Sequence, residues 1–231
     1  IPATLGLLDQ GYTLLFFEGD GQGKTLKYGL PLTYAWEEPT KCVLDYYQIN
    51  HCPMIGISWG GYFVMRAAAF EKRISAVVAY DVADDGLEIM TNVFPPILRR
   101  LIRWVFAHKQ EKLVNHLVRF AIHKSVLADW ALSQGQYITH TKSPYRFYQE
   151  VQKHTLRGVC DRITQDCLLL AGEKDHYIPI DQFERLQSSL PNARSVKKCV
   201  FTQAEGGEQH CQIGNHQLAL NEITQWLEGL E

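Results

Sequence analysis

The sequence predicts an α/β fold, a doubly wound and mostly parallel sheet interrupted by a helical insertion. Three observations predict it: short apolar runs that do not alternate, helix-like stretches between them, and one interval too long for a single crossover. The runs are Tyr12 to Phe17, Pro53 to Ile57, Ala76 to Tyr80, Cys167 to Ala171 and Lys198 to Thr202. Runs that are apolar throughout suit strands covered on both faces. Helical patterns occupy Glu37 to Gln48, Gly61 to Glu71, Ile180 to Leu190 and Asn215 to Leu230.

About 85 residues separate the third run from the fourth, far more than one crossover helix requires. Within that interval Ile97, Leu101, Val105, Leu113 and Leu117 recur at helical spacing, while Arg99, Arg100, Arg103, Lys109 and Lys112 take the opposite face. The expected organisation is a core in two parts, residues 1–81 and 157–231, with a helical cap inserted at 82–156. A basic amphipathic stretch of this kind also has a membrane-surface reading, set against the plainer one of a lid helix with its apolar stripe turned inward.

With 231 residues, 46% hydrophobic content and a net charge of −2, the chain has ample material for a core. It offers no basic excess for a nucleic-acid backbone. No long apolar run marks a membrane span, and no basic-then-apolar start marks export. The cysteines Cys42, Cys52, Cys160, Cys167, Cys199 and Cys211 are scattered without metal-ligand or redox spacing. The expectation is a soluble, cytoplasmic protein with reduced thiols and neither a metal nor a cofactor. Self-association is left open. Ile1 is not an initiator methionine, so a fragment or processed piece is expected.

Gly56-Ile57-Ser58-Trp59-Gly60-Gly61 sets G-x-S-x-G between a strand and a helix, the context that forces a serine onto a sharp turn. Small residues at Gly56 and Gly60 are expected to prevent collision with the neighbouring strand or helix. The turn would expose the Ser58 hydroxyl and aim the Trp59 N–H at the same point, where one oxyanion donor is worth about 2.7–4 kcal/mol. An ordinary N-cap serine is the plain alternative.

A serine nucleophile needs a base and an orienting acid, which in this arrangement follow in the order Ser, acid, His. Asp175 lies in the loop after the fourth run, with Asp81, after the third, as its rival. His210 lies in a glycine-bearing loop after the fifth run, with His216 as its rival where the last helix should already have begun. Gly23-Lys24-Thr25 invites a phosphate-loop reading, but the required upstream glycine would fall at Glu18.

Taken together, Phe17-Glu18-Gly19-Asp20-Gly21-Gln22-Gly23, the serine turn, Gly172-Glu173-Lys174-Asp175-His176 and Glu208-Gln209-His210-Cys211 carry a likeness over nearly the whole chain. The sequence resembles the capped α/β-hydrolases grouped around fermentation-respiration-switch-like esterases, 2,6-dihydroxypseudooxynicotine hydrolase and fungal yellowish-green-type polyketide-shortening hydrolases. The resemblance implies a Ser58, His210, Asp175 triad acting on esters, or on activated carbon–carbon bonds beside a carbonyl, in a small, mainly apolar substrate. Asp20 departs from the proline common in such relatives. The loop that normally supplies a second oxyanion amide precedes the segment at Tyr12 and is not contained here, which agrees with the expectation of a truncated chain. Two alternatives accompany this reading: a prolyl-oligopeptidase-like serine peptidase, and a non-catalytic relative that binds a ligand.

Overall fold

The computed structural model describes residues 6–92, 94–122 and 126–230; Ile1 and the start of the chain lie outside them. In chain order the elements are α1 (Gly23–Lys27), α2 (Glu37–Tyr46), β1 (Cys52–Ile57), α3 (Trp59–Ala68), β2 (Ile74–Tyr80), α4 (Gly86–Asn92) and α5 (Pro96–Ala107). They continue with α6 (Glu111–Ile122), α7 (Val126–Ile138), α8 (Pro144–Val151), β3 (Asp166–Gly172), α9 (Ile180–Ser188), β4 (Ser195–Phe201) and α10 (His216–Glu228).

The four strands form one sheet in the order β1-β2-β3-β4, every pair parallel. The apolar sequences of β2 and β3 follow from two-sided burial: every residue of β3 is buried, and six of the seven in β2. On one face Ala76, Val78, Tyr80, Leu168, Leu170 and Phe201 pack with Ala219, Ile223, Trp226 and Leu227 of α10. On β1 and β2 packs α3, whose Tyr62, Phe63, Met65 and Ala67 are buried. β4, an outer strand among the described residues, carries a lysine on each face, Lys197 paired with Glu222 and Lys198 with Glu184, as suits an edge that must not recruit further strands.

One expected strand is absent. Residues 12–17 make no ladder, and Leu15 and Phe16 are exposed. An apolar run becomes a strand only where its backbone finds a partner, and β1 pairs with β2 alone among the described residues.

The described chain divides into two compact units: residues 1–17, 35–84 and 156–231 in the first, and residues 18–34 and 85–155 in the second. The second is helical. Ile102, Val105, Phe106, Val114, Val118, Tyr145, Phe147 and Tyr148 are buried in it, with the Phe106 and Tyr145 rings 5.2 Å apart. Gly135 of α7 lets Phe147 approach to where a Cβ would stand 2.4 Å from its ring. Residues 18–34 are tied in by the Leu32 N–H, which donates to the Ile138 carbonyl at 2.8 Å. Other aromatics of the insertion, Trp104, Phe120, Trp130 and Tyr137, are exposed. No helix among the described residues is long and apolar enough to cross a membrane.

The turn from β1 into α3 carries Ser58 at φ 60°, ψ −121°, a left-handed conformation that costs a non-glycine residue about 1–3 kcal/mol. Surrounding contacts hold it there. The Ser58 N–H donates to the Tyr80 carbonyl at 2.8 Å, and the Gly61 N–H donates to the Ser58 carbonyl at 2.8 Å. A Cβ on Gly56 would stand 1.9 Å from the Gly60 carbonyl oxygen, so the strand and helix can meet only at glycine. The expectation for Gly60 is corrected: a Cβ there meets nothing within 4 Å, because the position faces away from the strand. The second tight position is Gly61, where a Cβ would lie 3.0 Å from Asp81 O and Val82 Cα.

These contacts predict opposite outcomes for two neighbouring substitutions. Gly56→Ala should lower the unfolding free energy by about 3 kcal/mol through overpacking. Gly60→Ala should change it by no more than about 1 kcal/mol, on the stabilising side, because alanine is the better helix former. Urea unfolding of the two variants reads the difference, and equal losses would contradict the geometry.

Candidate active site

In a parallel sheet all strands end on the same edge, and loops at the carboxyl ends are where ligands bind. Register places these ends side by side, with Ile57 opposite Tyr80, Tyr80 opposite Leu170, and Gly172 opposite Phe201. The ladder runs one residue further, since the Asp81 N–H donates to the Leu170 carbonyl at 3.1 Å and the Glu173 N–H to the Phe201 carbonyl at 3.0 Å. Ser58, Asp81, Asp175 and His210 therefore leave the sheet along one edge, each on the loop after a different strand, and all four belong to the first compact unit.

The structure brings three of the sequence-predicted residues into one hydrogen-bonded line. The Ser58 hydroxyl oxygen lies 2.8 Å from His210 Nε2, and His210 Nδ1 lies 2.7 Å from Asp175 Oδ2. A carboxylate facing Nδ1 keeps the proton of the neutral imidazole there, so Nε2 accepts from the serine hydroxyl. Trp59, the expected oxyanion donor, is the first residue of α3.

Each loop is built to hold its side chain. Asp175 turns back on its own chain, its Oδ1 accepting from Tyr177 N at 2.8 Å and Ile178 N at 3.0 Å, and this leaves Oδ2 for the imidazole. The Asp175 and His210 loops touch where the Lys174 N–H donates to the Glu208 carbonyl at 2.8 Å. That approach requires glycine at the end of β3, because a Cβ on Gly172 would lie 2.4 Å from the same carbonyl.

His210 sits in a tight turn, His210–Gln212, followed by α10. Cys211 and Gln212 have φ of 52° and 46°, two consecutive left-handed residues without glycine, an arrangement that needs outside support. The support comes from the end of β2. The Tyr80 hydroxyl donates to the Cys211 carbonyl at 3.0 Å, and the Cys211 N–H donates to Asp81 Oδ2. The rival histidine, His216, is the exposed first residue of α10, with Nδ1 3.0 Å from the Cys211 carbonyl. It braces the turn and lies apart from Ser58.

The rival acid is a different matter. Asp81 is fully buried, and its Oδ2 lies 3.5 Å from His210 Nδ1, so the imidazole faces two carboxyl groups. Burial, reinforced by the Asp175 charge, pushes the Asp81 carboxyl up to about 6, against the hydrogen bond from Cys211 N. For His210, burial favours the neutral ring, but the Asp175 hydrogen bond and the charges of Asp175 and Asp81 together outweigh it and raise its pKa. Cys211 is held protonated by burial and by the Asp81 charge.

Asp81, His210 and Cys211 offer atoms within 4.8 Å of one another. Among them, His210 Nδ1 is engaged with Asp175, and Asp81 with the Cys211 N–H. The sequence did not indicate that Tyr80, Asp81 and Gln212 support the His210 turn. For Tyr80 and Asp81 the signal was present only in register, as the last residue of β2 and the one after it, beside the end of β3.

The chain was compared with known proteins. A family model described as the alpha/beta hydrolase fold matches residues 33–206. Two fungal relatives are a hydrolyase, ccsE, of Aspergillus clavatus, 27% identical over 95% of this chain and 55% of its own, and the 20-hydroxy-prefusarin hydrolase FUS2 of Gibberella moniliformis, 25% identical over 96% and 56%. The chain thus spans about half the length of the curated relatives it matches. Among solved structures, 2,6-dihydroxy-pseudo-oxynicotine hydrolase superposes with a TM-score of 0.63 at 18% identity, covering 91% of this chain and 50% of that one. The meta-cleavage product hydrolase of Pseudomonas fluorescens superposes at 0.64 and 16% identity, covering 100% and 85%. The match over most of its length and the parallel sheet with its strand-to-helix serine turn make this chain a member of the alpha/beta hydrolase fold family.

Proposed function

We propose that the chain is the catalytic part of a serine hydrolase that cleaves an ester, or an activated carbon–carbon bond beside a carbonyl, in a small and mainly apolar substrate. The observation that supports it is the unbroken line from Ser58 Oγ through both ring nitrogens of His210 to Asp175, at 2.8 and 2.7 Å. The relatives named as hydrolases are consistent with this reading.

In the mechanism, His210 Nε2 removes the Ser58 proton as Oγ attacks the substrate carbonyl carbon. The negative charge that develops on the carbonyl oxygen is met by the Trp59 amide at the start of α3. Collapse of the tetrahedral intermediate breaks the scissile bond. The imidazolium returns its proton to the departing alcohol oxygen, or to the departing carbon where a carbon–carbon bond is cut. Water, deprotonated by the same nitrogen, then hydrolyses the acyl-serine. Asp175 fixes the ring orientation and tautomer and stabilises the imidazolium without itself taking the proton.

Two outcomes test the proposal. Against a panel of short acyl esters, a β-diketone and a peptide amide, the ester or diketone should turn over. Ser58→Ala should reduce kcat by about 10⁴-fold or more, and Asp175→Asn by roughly 10²–10⁴-fold. Turnover that survives Ser58→Ala, or confined to the amide, would contradict the assignment.

The second outcome is a pH profile. Because the base must be neutral, kcat/KM should rise with pH through the His210 pKa. The raised value places that acid limb above 6.5, the ordinary value for the ring. A limb at or below 6.5 would contradict the electrostatics.

A further inference from the structure

We propose that Asp81 is a positioning residue for the His210 base, acting as a second carboxyl group that clamps the His210–Gln212 turn from the end of β2 and faces the same ring nitrogen as Asp175. The inference rests on the reading of Ser58 and His210 as nucleophile and base, and it deepens that reading.

Five contacts carry it. Asp81 Oδ2 accepts from the Cys211 N–H and stands 3.5 Å from His210 Nδ1. Asp81 Oδ1 lies 3.4 Å from Gln212 Nε2. The backbone of Asp81 is itself fixed, by its N–H on the Leu170 carbonyl and by the tight approach of Gly61 to its carbonyl. One buried side chain therefore spans the turn that carries the base, on a strand end whose neighbour carries the nucleophile.

Asp81 adopts φ 59°, a conformation tolerated by Asp and Asn and strained for most other residues. A residue chosen only to fill the space would not need that preference together with a carboxylate. Asp175 is held by its own loop amides, Tyr177 N and Ile178 N, whereas Asp81 is held by the turn it supports. The two acids divide the work: Asp175 makes the direct 2.7 Å bond to Nδ1, and Asp81 fixes the position from which the ring receives that bond.

The second charge also has an electrostatic consequence. The titratable groups facing Asp81 are His210 and Cys211 on the turn, Asp175 on the loop after β3, and Tyr80 on its own strand; the rings of Tyr177 and His176 lie 5.0 and 6.4 Å from that of His210. Removing the Asp81 charge while keeping its shape removes one of the influences that favour the protonated imidazole.

The test uses Asp81→Asn, which retains the size and the tolerance of positive φ. In NMR titrations the His210 midpoint should move to lower pH than in wild type, and kcat on the substrate found for the wild type should fall about tenfold or more with KM little changed. An unmoved His210 midpoint overturns the proposal, as does an unchanged kcat. If the variant does not fold, wild-type protein decides. Coupling to a second carboxyl group should split the His210 titration into two steps, with one step matched by the Asp81 carboxyl resonance; a single step unrelated to Asp81 overturns the inference. Ser58→Ala assayed in parallel separates the two levels: Ser58-independent turnover defeats the nucleophile assignment, whereas an unmoved midpoint in a Ser58-dependent enzyme defeats only the role of Asp81.

Discussion

The hydrogen bond from the Ser58 N–H to the Tyr80 carbonyl joins the two strand ends on which the candidate site stands. It extends the β1–β2 ladder by one residue past β1 and so fixes the height at which the chain turns into α3. Because β2 is paired with β3 in the same way, the Asp81 N–H lands on the Leu170 carbonyl. Positions that are far apart in sequence thus become neighbours through regular pairing alone. The strained conformation of Ser58 is tolerable for the same reason: its own N–H and carbonyl are both hydrogen-bonded, and Gly56 and Gly61 let the strand, helix and neighbouring strand end come together.

From that frame the geometry of the base follows. His210 sits in a turn with two left-handed residues, Cys211 and Gln212, which a short loop would not adopt unaided. The residues that end β2 supply the missing stabilisation, Tyr80 through its hydroxyl and Asp81 through its carboxylate. The candidate site is a set of loops braced against one another on a rigid sheet edge, with Asp81 and His210 buried between them. That arrangement is what lets a buried imidazole keep a raised pKa despite the cost of charging it away from water.

Much of this was legible in the sequence, for identifiable reasons. The strands β2 and β3 announce themselves because two-sided burial leaves unbroken apolar runs, and the serine turn because only small residues allow so abrupt a reversal. The order Ser58, Asp175, His210 could be read because each follows a strand-like run. What could not be read depends on contacts between distant segments. Residues 12–17 have the composition of a strand, but composition does not say whether a partner exists. The motif letters do not say that Gly61, in place of Gly60, faces the neighbouring strand end. Asp81 and Asp175 presented themselves as competitors for one role, and only the register of three strands reveals that the imidazole meets both.

The central claim is that Ser58 is a nucleophile activated by this network, and a fluorophosphonate probe tests it most directly because the reagent needs an activated serine but no knowledge of the substrate. Peptide mass spectrometry of the labelled protein should locate a single adduct on Ser58, and the adduct should be lost in Ser58→Ala and strongly slowed in a His210→Ala variant. Absence of labelling in the wild-type protein, or labelling that persists in Ser58→Ala, would contradict the account.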